Sequence, residues 1–413
     1  MSEPGGRAGV DARVTLRTSP CLPPMAPSPS RRDVLRALGM GALTLPLGAC
    51  ASLFGTKPGP DVRLSGIPSY ANAPTRPAEV FPLDRDGQID PARIQQMAQE
   101  EMLAEQPLRL PPRLPAGGVV GLVAPAGVLR SSDQVDEAVA ALRSLGFQTK
   151  VGRRVLDRFG FLAGTDAARA RDFMDMVTDP EVDAVVALRG GWGCARILPF
   201  LDYEAIAANP KPIVGYSDIT ALLLAIYAKT GLVTFHGPVG ISTWQGLTSS
   251  AFVDTLVHGR TPVLGPETRS DRDRTETVRP GVAEGPVVGG NLSVIAALAG
   301  TGYLPSFDDH IVFFEEVGED AYRVDRLLVQ LELAGVMAKP AGVAFGQCSN
   351  CSSGGSSWSA ERTIREHLQI YTCPTVFGAP VGHVSPVPTL PIGLRARLDA
   401  DAGTLEYIGA AVS

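Results

Sequence analysis

Between residues 118 and 235, short unbroken apolar runs alternate with stretches whose apolar positions recur every three to four residues. Residues 118–124 are continuously apolar and close on Pro125-Ala126-Gly127, the pattern of a buried strand and its turn. Residues 133–145 carry Val135, Val139 and Leu142 at helical spacing and stop at Gly146, a residue suited to ending a helix. The unit then repeats. A helix is expected over 165–177 and a strand over 182–188, which runs into Arg189-Gly190-Gly191-Trp192-Gly193. A helix over 194–208, a strand over 212–215, a helix over 219–229 and a strand over 232–235 follow. This alternation predicts a parallel α/β sheet with right-handed crossovers. Ligands of such sheets bind at the C-terminal strand ends. Both the glycine-rich turn and the corner Gly215-Tyr216-Ser217-Asp218 fall there.

Beyond residue 261 the pattern changes. Residues 262–286 are rich in Pro, Glu and Arg without periodicity and read as a linker. In 287–413, Gly289-Gly290-Asn291-Leu292 leads into a helix (293–298). Strands are expected over 311–314, 343–345, 375–377 and 394–399, and a helix over 322–333. The expected fold class is therefore α/β. A parallel-sheet domain (113–261) carries the serine and is joined to a smaller mixed α/β domain (287–413).

Composition bounds the partners. The chain has 413 residues, 45% apolar and 19% charged, an ordinary globular balance for about two domains. A net charge of -6, with no basic stripe interleaved with aromatics, argues against a nucleic-acid partner. Proline is concentrated before residue 116, which marks an extended front segment. In it, Arg31-Arg32 precede a weakly apolar stretch of about a dozen residues, too short to span a bilayer, as in a twin-arginine export signal. Leu47-Gly48-Ala49-Cys50 resembles a lipobox, which would leave a lipidated Cys50; a plain signal peptide is the alternative. Residues 1–50 are thus expected to be an export signal. Residues 51–112 are expected to be a tether with one helical stretch (91–104).

The chemistry centres on Ser217. A serine where a strand turns into a helix presents its hydroxyl at the mouth of the turn, and the Asp218 N–H can point at whatever it attacks. The same spacing suits Ser217 or Asp218 as a helix N-cap. A nucleophilic serine needs a base and a group that orients the base. Of five histidines, His383 lies in a Gly/Pro-rich turn that can aim a side chain. His236, at a strand end, suits a buried hydrogen bond, and His258, His310 and His367 read as surface. Glu315 and Glu316 close the apolar strand at 311–314; side chains alternate along a strand, so only one faces the site. Both being solvated strand-end charges is the other reading.

Taken together, the blocks at 182–193, 212–238, 289–292, 312–330 and 378–383 resemble the serine LD-carboxypeptidase family, which also holds the microcin-immunity peptidases. The resemblance spans roughly residues 117–405. It implies Ser217 as nucleophile, His383 as base, Glu315 as orienter, and an oxyanion hole from the backbone N–H groups of Asp218 and Gly191. It implies no metal or other cofactor, a murein tetrapeptide substrate cut between a diamino acid and D-alanine, and a homodimer. Arg189, Trp192 and Asn291 become expected substrate contacts. Arg189 equally suits bracing its turn, and Trp192 stands where many members carry tyrosine.

Rival readings remain. An immunity-type peptidase cleaving acyl-adenylate peptides keeps the family and changes the substrate. An α/β-hydrolase esterase shares the order Ser, acid, His, but its elbow requires glycine where Ile219 stands. A wall-binding lipoprotein without catalysis is disfavoured by the presence of all three residues. Cys348 and Cys351 have the spacing of half a zinc knuckle with no second pair. Twin-arginine cargo folds before crossing, which favours reduced thiols there over a local disulfide. Cys194 suits a packing role better than a reactive thiol.

Overall fold

The computed structural model describes residues 106–265 and 275–413. The expected export signal, Cys50 and the tether up to residue 105 lie outside the described residues.

Five parallel strands build the first sheet: β1 (Val119–Val123), β2 (Gln148–Val151), β3 (Ala184–Ala187), β4 (Ile213–Gly215) and β5 (Thr234–His236). They lie in the order β2-β1-β3-β4-β5. Crossovers run through α1 (Asp133–Ser144), α2 (Asp166–Thr178), α3 (Cys194–Ile197), α4 (Tyr203–Ala208) and α5 (Thr220–Thr230). Strand β3 reads AVVA and is buried throughout, as a central parallel strand must be. Helix α5 is apolar almost all round and buries Thr220–Ile226 without interruption, so it is an interior helix.

The second sheet holds eight strands. After α6 (Leu247–Leu256) come β6 (Val263–Leu264), β7 (Glu276–Arg279), β8 (Val282–Asn291), α7 (Leu292–Leu298), β9 (Ile311–Val317), α8 (Ala321–Leu333), β10 (Gly342–Ser349), α9 (Ala360–Leu368) and β11 (Thr375–Phe377). Then β12 (Leu390–Ile392), β13 (Arg395–Asp399) and β14 (Thr404–Tyr407) complete the chain. The sheet order is β6-β14-β13-β8-β9-β10-β11-β7, parallel from β8 to β11 and antiparallel outside that block. Strand β12 crosses back and pairs antiparallel with β5, adding a sixth strand to the first sheet. The two sheets share one apolar core.

Several elements differ from the sequence-based expectation for identifiable reasons. Strand β2 (QTKV) is a polar edge with no apolar run to announce it. The helix expected over 194–208 is broken at Leu198–Phe200, a short 3-10 turn containing Pro199. The aperiodic stretch at 262–286 contains β6, β7 and the start of β8, where exposed and buried positions alternate, a pattern that its Gly and Pro obscure. The end of the tether is strapped to the fold, since Arg109 donates to Gly231 O (2.8 Å) and accepts from Val233 N (2.9 Å).

Candidate active site

Strand β4 ends at Gly215, and Ser217 follows in a left-handed backbone conformation, φ +65°. For a residue with a Cβ this costs on the order of 1–3 kcal/mol, and it turns the chain sharply into Ser217–Ile219 and α5. The neighbouring strand β3 delivers the glycine turn to the same place. A Cβ on Gly190 would lie 2.8 Å from Ser217 Cβ, 2.9 Å from its Oγ and 3.3 Å from Asp218 N, so only a glycine backbone fits. The Gly190 carbonyl accepts from Gly127 N (3.2 Å). In a trans peptide this turns the Gly191 N–H the opposite way. Two backbone donors, at 218 and 191, thus belong to the same corner as the hydroxyl.

The Asp218 side chain turns inward, where its Oδ2 accepts from Cys194 N (2.8 Å). Burial raises its pKa against the opposing pull of that bond and of Arg169. Burial first, and then the Asp218 charge, push the Cys194 thiol well above its ordinary value, so Cys194 is a packing residue and no nucleophile.

Glu315 and His383 form the second half. Glu315 is wholly buried on β9, and its Oε2 lies 2.7 Å from His383 Nδ1. A carboxylate accepts, so Nδ1 is the nitrogen that donates to it, and Nε2 is the ring nitrogen left for other partners. The His383 ring packs 4.9 Å from that of Tyr216, the residue preceding Ser217. The halves are also joined beneath: Asn291 N donates to Thr220 Oγ1 (3.1 Å), and Asn291 is the register partner of Glu315. Gly290, at φ +140°, would place a Cβ 2.6 Å from the Thr220 side chain.

Glu316 points to the other side of β9. It is no solvated charge: it is 2% exposed and accepts from Asn291 Nδ2 (3.0 Å), Ser293 N (2.8 Å), Ser293 Oγ (2.6 Å) and Val317 N (2.8 Å). The expected substrate contact at Asn291 is corrected accordingly. Its amide donates to Glu316 and its oxygen caps α7 at Val294 N (3.2 Å), which leaves it a structural role. Arg189 braces its turn through Val128 O (2.6 Å), while its Nε is buried without a hydrogen-bond partner. Trp192 is 45% exposed beside the turn.

The other histidines divide. His236 is buried, but neither ring nitrogen has a hydrogen-bond partner, contrary to the buried bond expected. It packs instead against Phe313 (5.2 Å) and Tyr216 (5.9 Å). Burial, and secondarily the His383 charge, lower its pKa to about 3. His310 is buried with Nδ1 on Asp308 O (2.7 Å), and His367 bridges Glu332 (2.9 Å) and Asp325 (3.0 Å), so neither is a free surface residue. His258 is exposed as expected. Cys348 and Cys351 are joined in a disulfide, against the expectation of reduced thiols.

Arg169 went unnoticed in the sequence. Its side chain is fully buried and donates to Gly193 O (2.9 Å), Gly164 O (3.3 Å), Pro125 O and Asp166 Oδ1, clamping the loops that hold the glycine turn. The available signal was a charge on the apolar face of α2, in line with Phe173 and Met176.

A hydroxyl at a strand-to-helix corner, backbone N–H groups in the same corner and a carboxylate-backed imidazole packed on the preceding residue are the parts from which serine hydrolases are built. Residues 120–237 match the LD-carboxypeptidase N-terminal domain and residues 284–398 the LD-carboxypeptidase C-terminal domain. The chain belongs to the LD-carboxypeptidase family. It is 33% identical to the murein tetrapeptide carboxypeptidase of Pseudomonas aeruginosa, over 70% of this chain and 95% of that protein. It is 31% identical to the microcin C7 self-immunity protein MccF of Escherichia coli, over 73% and 95%. The crystal structure of muramoyltetrapeptide carboxypeptidase from Oxalobacter formigenes superposes with a TM-score of 0.62 at 30% identity, covering 71% of this chain and all of that one.

Proposed function

We infer that the protein is a serine LD-carboxypeptidase acting on murein tetrapeptides. His383 takes the proton of Ser217, the serine attacks the amide carbonyl between the diamino acid and terminal D-alanine, and Glu315 stabilises the imidazolium. The Asp218 and Gly191 N–H groups receive the developing oxyanion, each donor contributing about 3 kcal/mol. His383 then protonates the departing amine, and water, activated by the same ring, clears the acyl-enzyme. The observation that carries this reading is the buried Glu315–His383 contact placed against the strained Ser217 corner.

Likeness to MccF sustains a second reading, cleavage of an acyl-adenylate peptide. Release of D-alanine from tetrapeptide, against release of the amino acid from an aminoacyl sulfamoyl adenosine, separates the two. The first reading requires D-alanine to appear and to vanish in Ser217→Ala.

The paired arginines and the Leu47-Gly48-Ala49-Cys50 stretch support export and attachment through a lipidated Cys50, which would place the enzyme beside the wall. Mass spectrometry of the mature N-terminus tests this; an unprocessed front would overturn it. The family resemblance supports a homodimer, which light scattering of the purified protein tests.

A further inference from the structure

Outward from Ser217 the loops are layered in a fixed order. Gly190 lies on the serine, Gly127 lies on Gly190 and Gly191, and Val128 N donates to Phe161 O (3.0 Å). Three arginines belong to these layers. Arg189 folds back behind the glycine turn, its Nη2 3.6 Å from the position of a Cβ on Gly191. Arg158 donates to the carbonyls of Leu129 (2.8 Å) and Arg130 (3.0 Å). Arg130 is exposed, and its charge reaches Arg189.

Among the described residues, none of the three makes an ion pair. Asp157, the residue before Arg158, is paired with Arg154 (3.3 Å), and Asp133 and Asp136 stand on the first turn of α1. Three like charges gathered without counter-charge in a protein of net charge -6 disfavour the free state and favour an anionic occupant. Exposed Phe161 and Trp192, at 64% and 45%, supply an apolar wall beside them.

The geometry points to an acyl-side subsite in which Arg130 and Arg158, backed by the charge of the turn-bracing Arg189, bind a free carboxylate on the peptide upstream of the scissile bond. The inference rests on the peptidase reading and adds the substrate's charge. A leaving group of one residue is too short to cross Gly191, so any part of the substrate that reaches the arginines belongs to the longer acyl portion. Bidentate guanidinium–carboxylate contacts suit such recognition.

The test compares two tetrapeptides, one with a free side-branch carboxylate at its second residue and one with that carboxylate amidated. The expected wild-type preference in kcat/KM for the free acid is about 10- to 100-fold, the range of charge-assisted hydrogen bonds. It should shrink as salt is raised. Arg130→Gln with Arg158→Gln should bring the ratio down to about one, given these contacts. The wild-type ratio needs no variant, so a folding defect in the double substitution leaves the test intact. Equal turnover of both peptides by the wild type overturns the subsite and leaves the peptidase standing. A preference that persists in the folded double variant overturns the assignment to these arginines. No D-alanine from either peptide overturns the peptidase reading itself.

Discussion

The two halves of the site are built by opposite means. At the Ser217 corner the backbone does the positioning: a left-handed serine, glycines at 190 and 191, and two N–H donors, supplied by two short turns at the ends of neighbouring strands. At the Glu315–His383 pair, side chains do it. A wholly buried carboxylate orients a ring delivered from 68 residues away, and aromatic packing holds that ring against Tyr216. Backbone strain is local and leaves a local signature, whereas burial of a carboxylate depends on everything packed around it. The nucleophile half should therefore fail through small steric changes, and the acid–base half through loss of a charge or a partner.

The largest effects come from removing members of the relay. Ser217→Ala and His383→Ala should each lower kcat by up to about a million-fold, and Glu315→Gln by about 10,000-fold through misorientation of the imidazole. Steady-state D-alanine release measures all three. Their folding should be intact by circular dichroism for the serine and histidine variants.

Gly190→Ala probes the backbone half. The new methyl would meet Ser217 Cβ at 2.8 Å, displacing the serine or the glycine turn. A loss of about 100- to 1,000-fold in kcat with little change in KM is expected, the size of one lost oxyanion donor. A variant with wild-type kcat would mean that the close approach of Gly190 to Ser217 has no catalytic consequence.

Glu316→Gln sharpens the contrast between adjacent carboxylates. It leaves a buried network short of acceptors and should cost about 2–4 kcal/mol of stability. Turnover at a temperature where the variant is folded should stay within about threefold, because Glu316 faces away from the relay. Denaturant melts and D-alanine release together check the split.

The smallest effect concerns two histidines, one buried and one half-buried, whose shifts run in opposite directions. His236 has its pKa lowered to about 3, so the unfolded chain binds a proton that the folded one refuses. Stability should fall as pH drops from about 6.5 towards 3, and His236→Phe should lessen that fall. For His367 burial works downward, but hydrogen bonds to Asp325 and Glu332 outweigh it and the net shift is upward. Its stabilisation is full below about pH 6.5 and is lost as pH rises through the raised folded value. His367→Gln should flatten the alkaline side of a Tm–pH curve.

What was legible in the sequence follows the same division. The Ser217 corner and the glycine turn were visible because a strand, a turn and a helix lie in immediate succession. The paired roles of Glu315 and His383 came from resemblance, since no local pattern tells which of two adjacent glutamates faces inward. Arg169 and the Asn291–Glu316 network were missed because the partners that give them meaning, Pro125 and Gly193 for Arg169 and Glu316 for Asn291, lie 24 to 44 residues away along the chain. Strand β12 was invisible for the same reason, being three residues that gain meaning only beside β5.

The central claim is that Ser217 forms the covalent intermediate while His383 and Glu315 serve it. Rapid quenching of the enzyme with tetrapeptide, followed by mass spectrometry of the digest, tests it most directly. The account predicts a tripeptide adduct on the fragment containing Ser217 that disappears in Ser217→Ala along with turnover. An adduct on any other residue, or D-alanine release that survives that substitution, would contradict it.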